Sequence, residues 1–543
     1  MPLGGVGEIG KNITAYKFGD EVLVVDCGLM FPDEEMLGVD LVIPDTTWLR
    51  DPSNKVVGVC LTHGHEDHIG SLPYFLKEMN VPVWGTPLTL GLVKSKLDEH
   101  KITNIRLNEV EAGDIIEAGP FSVEFVQVSH SIPDACSLAI TTPLGVVVHT
   151  SDFKFDPTPV DGRLTDIGRF SELGRNGILA LVTDSTNVEK PGFADSERLL
   201  SRTFDRLFSE AKGRVIVACF ASNLHRIQQV ADASVKFGRQ IAFVGRSMAR
   251  NVDIACRLGY LDIPDWAFLD IDEISARPKD QVTIMTTGSQ GEPLSALSRI
   301  SMDDHRRISI EEGDLVVISA KPIPGNENLV MRVVNNLFRQ GAQVVYDEID
   351  MVHVSGHANQ DELRMMLNLL DPDYVIPVHG EYRHMAKYRE MARETGYEPH
   401  EILTMDIGDI LQIDSDGAKV VGKIEQSGSV MVDGLGVGDV GDASLRDRSH
   451  LASEGIIIAV VSIDKNTGEI LAGPELMSKG VMDEWESFLA EAKERLMEHL
   501  STLSHDAMRD GATAKLEIRN ALAKFVKGQI RRRPVIIPIV TEV

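Results

Sequence analysis

The stretch "THGHEDHIG" (62–70) constrains this chain more than any other. It follows the apolar run "KVVGVCL" (55–61) and sets His63, His65, Asp67 and His68 within six positions, with no apolar face that they could serve. A strand leaving a sheet turns the alternate residues His63 and His65 to one side. The loop after Gly64 then presents Asp67 and His68 to a neighbouring point. Imidazole and carboxylate without thiolate suit open catalytic sites for Zn²⁺ or Mn²⁺ rather than closed structural zinc. Two adjacent divalent-cation sites are the expected product.

Two further strands end in the same manner. "FSVEFVQVSH" (121–130) alternates and stops at His130, and "GVVVHTSD" (145–152) stops at Asp152. Strand ends opening into loops are where α/β folds place ligands. Upstream, "KNITAYKF" and "EVLVVDCG" flank Gly19-Asp20 as a hairpin. From about 178 to 350 apolar β runs alternate with Gly/Ser/Asn-rich turns and helical periods, which predicts a parallel α/β layer. The Gly-rich "VDGLGVGDVGD" (432–442) reads as a linker or tight turns. Beyond it lie a strand (455–463) and a helix with Trp485, Phe488, Leu489, Ala492 and Leu496 at core spacing. A basic helix (512–527) and the strand "PVIIPIV" complete a small α+β domain.

At 543 residues the chain calls for two to four domains. Its formal charge of −28 argues against nonspecific coating of nucleic acid or membrane, although a local field at a cation-bearing cleft outweighs the sum. From Lys515 to Arg533 seven Lys/Arg face a single acid, Glu517, which reads as a solvated helix face and tail. Five scattered cysteines, no apolar span of membrane length and no secretory leader in "MPLGGVGEIG" predict a reduced, cytoplasmic protein without membrane contact. "GGVGEIGKN" satisfies G-x-G-x-x-G at Gly5, Gly7 and Gly10. A strand rather than a helix follows, so nucleotide binding is not expected there.

The H-x-H-x-D-H cluster resembles the signature of the metallo-β-lactamase fold. That resemblance implies one metal on His63, His65 and His130, a second on Asp67, His68 and His379, and Asp152 bridging them. Two metals about 3.5–4 Å apart can activate water and stabilise attacking and leaving oxygens together. Asp152 and His379 are 227 residues apart, and the α/β segment fills the interval. An inserted domain closing over a hydrolytic site suits a polymer better than a small thioester. "VTDSTN", "HVSGH" and "IPVHGEYRH" resemble successive motifs of the β-CASP nucleases. With "PLGGVGEIGKN", "MFPDEEMLGVDLVIPD", "FASNLHRIQQ", "TTGSQGEP" and "VDGLGVGDVG" they resemble the bacterial ribonuclease J family from end to end. In that comparison Met1 falls inside the first strand, so further residues are expected before it.

The implied architecture is a metallo-β-lactamase αββα sandwich with an inserted β-CASP parallel α/β domain and a small C-terminal α+β domain. Its parts are expected at 1–180 and 351–431 for the sandwich, 181–350 for the insertion, 432–449 for a linker and 450–543 for the last domain. His353-Val354-Ser355-Gly356-His357 combines two imidazoles, a hydroxyl and an unhindered glycine amide, a cradle for an anion; the plainer alternative is a pair of satisfied histidines at a strand end. The resemblance makes the whole segment a grip on substrate phosphate and His357 a general-acid candidate. Asp67, Asp184 and His357 are the expected catalytic residues, with Asp184 orienting the ligands or a relay water, or merely capping a strand end. Ser222 and Asn223 could hold a further phosphate at a helix start, or simply N-cap that helix. Arg246, Ser247, Ser289 and Gln290 occupy similar turns with weaker claims. A structural Ca²⁺ near Asp433 follows from the resemblance alone.

The activity so implied is a 5′→3′ exoribonuclease preferring 5′-monophosphate RNA, with endonuclease activity, in mRNA decay and RNA maturation. The resemblance also implies single-stranded RNA as substrate, RNA-decay protein partners, and a homodimer or homotetramer joined partly through the C-terminal domain. The rival readings are a β-CASP DNA nuclease and a non-catalytic scaffold homologue. A small-molecule hydrolase is disfavoured by the size of the insertion.

Overall fold

The computed structural model describes every residue except Glu34, Pro293, Pro324 and Asp483–Trp485, so the expected core role of Trp485 lies outside the described residues. The chain divides into two units, Met1–Phe31 with Leu41–Val430, and Pro32–Asp40 with Met431–Val543.

The first unit holds two six-stranded sheets. One runs in the order Pro2–Gly4, Ile13–Phe18, Glu21–Val25, Lys55–Cys60, Val83–Gly85, Leu107–Glu109. The other runs Pro372–Val378, Ile178–Asp184, Gly145–His149, Cys136–Thr142, Phe121–Gln127, Ile115–Ala118. Alternation supplies each sheet with an inward apolar face. Leu23, Val25 and Cys60 from the first meet Val123, Phe125, Leu138, Ile140, Ala180 and Ile376 from the second in one buried cluster. Helices Leu72–Glu78 and Pro87–Glu99 cover the outside of the first sheet, and Ile167–Arg175, Gln360–Leu370 and Tyr382–Glu394 the outside of the second. This is the αββα sandwich expected from the motifs. The predicted hairpin forms, with Gly19 at φ +64° in its turn.

Between Ile178–Asp184 and Pro372–Val378 of that second sheet the chain builds a parallel sheet in the order Gln240–Val244, Val282–Thr286, Val215–Ala218, Leu315–Ile318, Gln343–Val345. Its central strands "VIVA", "VTIMT" and "LVVI" are buried at every residue. That is why they read as unbroken apolar runs rather than alternating ones.

In the second unit the strands Ile470–Lys479, Ile456–Ile463 and Val535–Glu542 form one sheet. Alternate residues of its central strand, Ile457, Ala459, Val461 and Ile463, pack on Ala492, Leu496, Ile518, Leu522 and Val526 of two helices. The stretch expected as a linker instead carries short strands Ser429–Asp433 and Gly436–Val437 and then a helix, Asp442–Glu454. That helix has no fully buried residue, so its sequence lacks the apolar stripe by which a helix is recognised. The remote segment 32–40 joins this unit: Asp40 donates its N–H to Val432 O and accepts from Gly434 N on its carboxylate. The seven Lys/Arg of the basic run are exposed, and its one acid, Glu517, is bonded to His499 at 2.8 Å. Among the described residues no helix is long and apolar enough to cross a membrane.

Candidate metal centre

The strand Lys55–Cys60 delivers His63 and His65 beyond its end, and a single helical turn, Glu66–Ile69, carries Asp67 and His68 back beneath them. That turn is clamped by backbone. Cys27 N donates to His68 O at 2.7 Å, Asn12 N to Asp67 O at 2.9 Å, and Gly28 N to Asn12 O at 3.0 Å. A Cβ on Gly28 would stand 1.6 Å from Asp67 O, so only glycine lets the two segments meet. Gly28→Ala should therefore displace the turn and remove one equivalent of bound metal together with activity. Elemental analysis of the purified variant checks this, and full metal content with a wild-type rate would refute it.

Three groups of ligand atoms result, each gathered within 4.8 Å; two share Asp152, namely His63, His65, His130 and Asp152, and Asp67, His68, Asp152 and His379, and the third is Asp184, His357 and His379. In the first, His63 Nε2 and His130 Nε2 each lie 3.1 Å from His65 Nδ1, and each lies 3.6 Å from Asp152 Oδ2. In the second, His68 Nε2 is 3.3 Å from Asp152 Oδ2, and His379 Nε2 is 3.3 Å from Asp67 Oδ2. His379 Nδ1 reaches Asp152 Oδ1 at 2.7 Å. Asp152 is the carboxylate common to these two groups.

The donor chemistry fits divalent cations. His130 Nδ1 donates to Gly356 O at 2.7 Å, which leaves its Nε2 as a lone pair aimed at the other imidazoles. Burial pushes His63 and His130 well below the ordinary histidine pKa, and His65 down to about 4. All three are thus neutral, the form that ligates. Burial disfavours charge on His68 too, but Asp152, Asp67 and Asp26 outweigh it and raise its pKa well above the usual value. For His379 burial is outweighed by Asp152, and the pKa rises to about 10. This half of the site demands positive charge, and the buried His379 Nε2 faces the Asp67 carboxylate at 3.3 Å without hydrogen-bond geometry. A divalent ion meets that demand as a proton would.

Four contributors escape the motif reading. Asp26 Oδ2 binds His68 Nδ1 at 2.7 Å and so aims the other ring nitrogen at the site, while Thr62 donates to Asp26 from N and Oγ1. Asp26 ends the strand run "EVLVVD", the same signal that singled out His130 and Asp152. Asn12 Nδ2 donates to Asp67 O at 3.1 Å, within the glycine motif set aside as a nucleotide decoy. Lys154 and Asn187 both reach the 353–357 loop.

Among the remaining candidates, Asp184 Oδ2 binds His357 Nδ1 at 2.8 Å, and its Oδ1 stands 4.0 Å from His379 Nδ1. Its partner is therefore His357, while its other oxygen caps the turn by accepting from Thr186 N. Burial disfavours the charged His357 ring, yet Asp184 and Asp152 outweigh it and raise the pKa. His357 Nδ1 lies 4.0 Å from Asp152 Oδ2, beside the two groups that share Asp152. A Cβ on Gly356 would meet His130 Cε1 at 2.7 Å, so this glycine is what allows the loop to approach the first group. Val354 is buried, and His353 is half-buried with its Nδ1 enclosed and unpartnered. Asn223 Oδ1 accepts from Arg226 N at 3.0 Å and caps the helix Leu224–Lys236, with Ser222 just before it. Gln290 is engaged by Lys321 O and Ile323 N beside buried Ser289, and Arg246-Ser247 open the helix Arg246–Arg257. Asp433 pairs with Arg448 at 2.5 Å, and no ligand-type group of three includes it among the described residues.

A two-sheet sandwich with paired histidine–carboxylate groups at its strand ends defines a metallo-hydrolase of the metallo-β-lactamase superfamily. Family models agree: residues 6–196 match the metallo-beta-lactamase superfamily and residues 342–403 the Zn-dependent metallo-hydrolase RNA specificity domain. Residues 212–337 match the ribonuclease J beta-CASP domain and residues 443–543 the ribonuclease J C-terminal domain. The chain is 41% identical to ribonuclease J2 of Bacillus subtilis over 100% of its own length and 98% of that protein's. It is 40% identical to ribonuclease J of Thermus thermophilus, over 100% and 95% of the two chains. A crystal structure of an Enterococcus faecalis protein of unknown function shares the fold at TM-score 0.54 and 17% identity, covering 75% of this chain and 97% of that one. The chain belongs to the ribonuclease J family of metal-dependent ribonucleases.

Proposed function

We propose that this chain hydrolyses single-stranded RNA from the 5′ end, prefers a 5′-monophosphate, and also cuts internally. The observation that carries the proposal is the position of the 353–357 loop, held against His130 by Gly356 O and against Asp184 by His357. The N–H groups of Val354, Ser355 and Gly356 have no protein acceptor among the described residues, and successive free amides suit a phosphate. His63, His65 and His130 would hold one Zn²⁺ or Mn²⁺, Asp67, His68 and His379 the other, with Asp152 shared. Bound there, the two ions supply an activated water and charge stabilisation at the scissile phosphate. The chain's own groups do the rest: the loop and the helix start at Ser222-Asn223 orient the phosphates, Asp184 fixes the His357 ring, and His357 Nε2 gives a proton to the leaving oxygen. We place the protein in the cytoplasm, acting in mRNA decay and RNA maturation with RNA-decay partners, as a homodimer or homotetramer. A calcium at Asp433 is not part of this reading, since Arg448 already supplies positive charge there.

One experiment decides it: a time course on RNA bearing a 5′-monophosphate or a 5′-triphosphate, beside a matched DNA oligonucleotide. Mononucleotides should leave the monophosphorylated RNA clearly faster, because a triphosphate brings extra charge and bulk to a loop fitted to one phosphate. Equal rates on both RNA ends with only internal fragments would leave a plain endonuclease, faster cleavage of DNA would make it a DNA nuclease, and no cleavage with either metal would leave a scaffold.

A further inference from the structure

Segment 352–357 has no regular secondary structure, yet side chains from outside it hold its carbonyl groups. Arg226 donates to Val352 O at 2.9 Å, Lys154 to Ser355 O at 3.2 Å, His130 to Gly356 O at 2.7 Å, and Asn187 to His357 O at 3.2 Å. Asn187 also donates to Ser355 Oγ at 2.7 Å. A loop whose carbonyls are anchored in this way keeps its amides in place without a ladder partner.

Two of these anchors grow from the chain segments that carry the reacting centre. Lys154 lies two residues after Asp152, and its N–H is fastened to Ser129 O, next to His130, at 2.9 Å. Its side chain is 1% exposed, with the ammonium 3.5 Å from Asp156 and 3.2 Å from Asp195 O. Desolvated charge-assisted bonds of this kind are the strong ones. Asn187 lies three residues after Asp184, which holds His357. One short stretch of chain thus runs from the shared carboxylate to the loop, and another from the Asp184–His357 pair to the same loop.

We propose that Lys154 and Asn187 are positioning residues that fix the distance between the 353–357 loop and the Asp152 cluster. In doing so they set how many nucleotides separate the held 5′ phosphate from the bond that is cut. This rests on the reading above that the loop receives the 5′ phosphate. Neither residue touches the reacting atoms; each acts through the loop backbone and Ser355.

The test uses full-length, metal-loaded protein and RNA carrying a labelled 5′-monophosphate. Lys154→Met keeps the apolar stem and removes the ammonium, Asn187→Ala removes the second anchor, and Lys154→Arg retains a cationic donor. In the first two, KM should rise about 10- to 100-fold, the scale of a positioning error near 1 Å, while kcat falls less. Dinucleotides should appear beside mononucleotides, and metal content should stay at the wild-type level. Lys154→Arg should recover the wild-type product length. If Lys154→Met does not fold, Asn187→Ala carries the test, because its loss leaves no buried charge unpaired. Folded, metal-replete variants with wild-type KM and only mononucleotide product would overturn the inference, as would a fall confined to kcat. A wild-type protein indifferent to the 5′ phosphate would overturn the reading of the loop and this inference together. A wild-type preference that survives in both variants overturns the inference alone.

Discussion

Asp152→Asn should abolish RNA hydrolysis, with a fall of at least about 10³-fold and loss of bound metal from both groups. The carboxylate is the one anion shared by the two clusters: Oδ2 lies 3.3–3.6 Å from the Nε2 atoms of His63, His68 and His130, and Oδ1 lies 2.7 Å from His379. Asparagine fills the same space, but it presents a neutral amide whose NH₂ repels a cation where the carboxylate attracts one. Metal ions stabilise transition-state charge by several kcal/mol, and each 1.36 kcal/mol is a factor of ten in rate. The expected loss follows from those two magnitudes. Dialysis of the wild-type protein against a chelator should reproduce it, and Zn²⁺ or Mn²⁺ should restore activity to the wild-type protein but not to the variant. Two equivalents of metal and a wild-type rate in Asp152→Asn would rule out the shared-carboxylate centre.

His357→Ala should lower kcat by roughly 10²–10⁴-fold, the usual worth of general acid catalysis, with both metals retained. The ring stands beside the two groups rather than within either shared set, 4.0 Å from Asp152, with Nδ1 tied to Asp184 at 2.8 Å. That tie leaves Nε2 as the nitrogen that can meet a leaving oxygen. Asp184→Asn should give a smaller fall in kcat than His357→Ala, because it loosens the ring without deleting it. Rates at saturating RNA, with elemental analysis of each variant, separate the outcomes. A missing metal equivalent in His357→Ala would make His357 a ligand, and unchanged kcat would remove it from the chemistry.

What the sequence by itself determined was local. The spacing of His63, His65, Asp67 and His68 and the strand-end positions of His130 and Asp152 need only the two-residue period of a strand and the turn after it. The parallel inserted sheet was legible because strands buried on both faces are continuous apolar runs. The motif resemblance added His379, which no local spacing reaches. The tertiary structure alone decided the partners of these residues. Asp26 beneath His68, Asn12 beside Asp67, and Lys154 and Asn187 under the 353–357 loop join positions 42, 55, 201 and 168 residues apart. Segment 32–40 likewise joins the unit formed by 431–543. A hydrogen bond requires donor and acceptor within about 3 Å, and for residues so far apart only the packed sheets bring them that close. Periodicity states which face a side chain takes, whereas the path of the chain through space decides what waits on the other side.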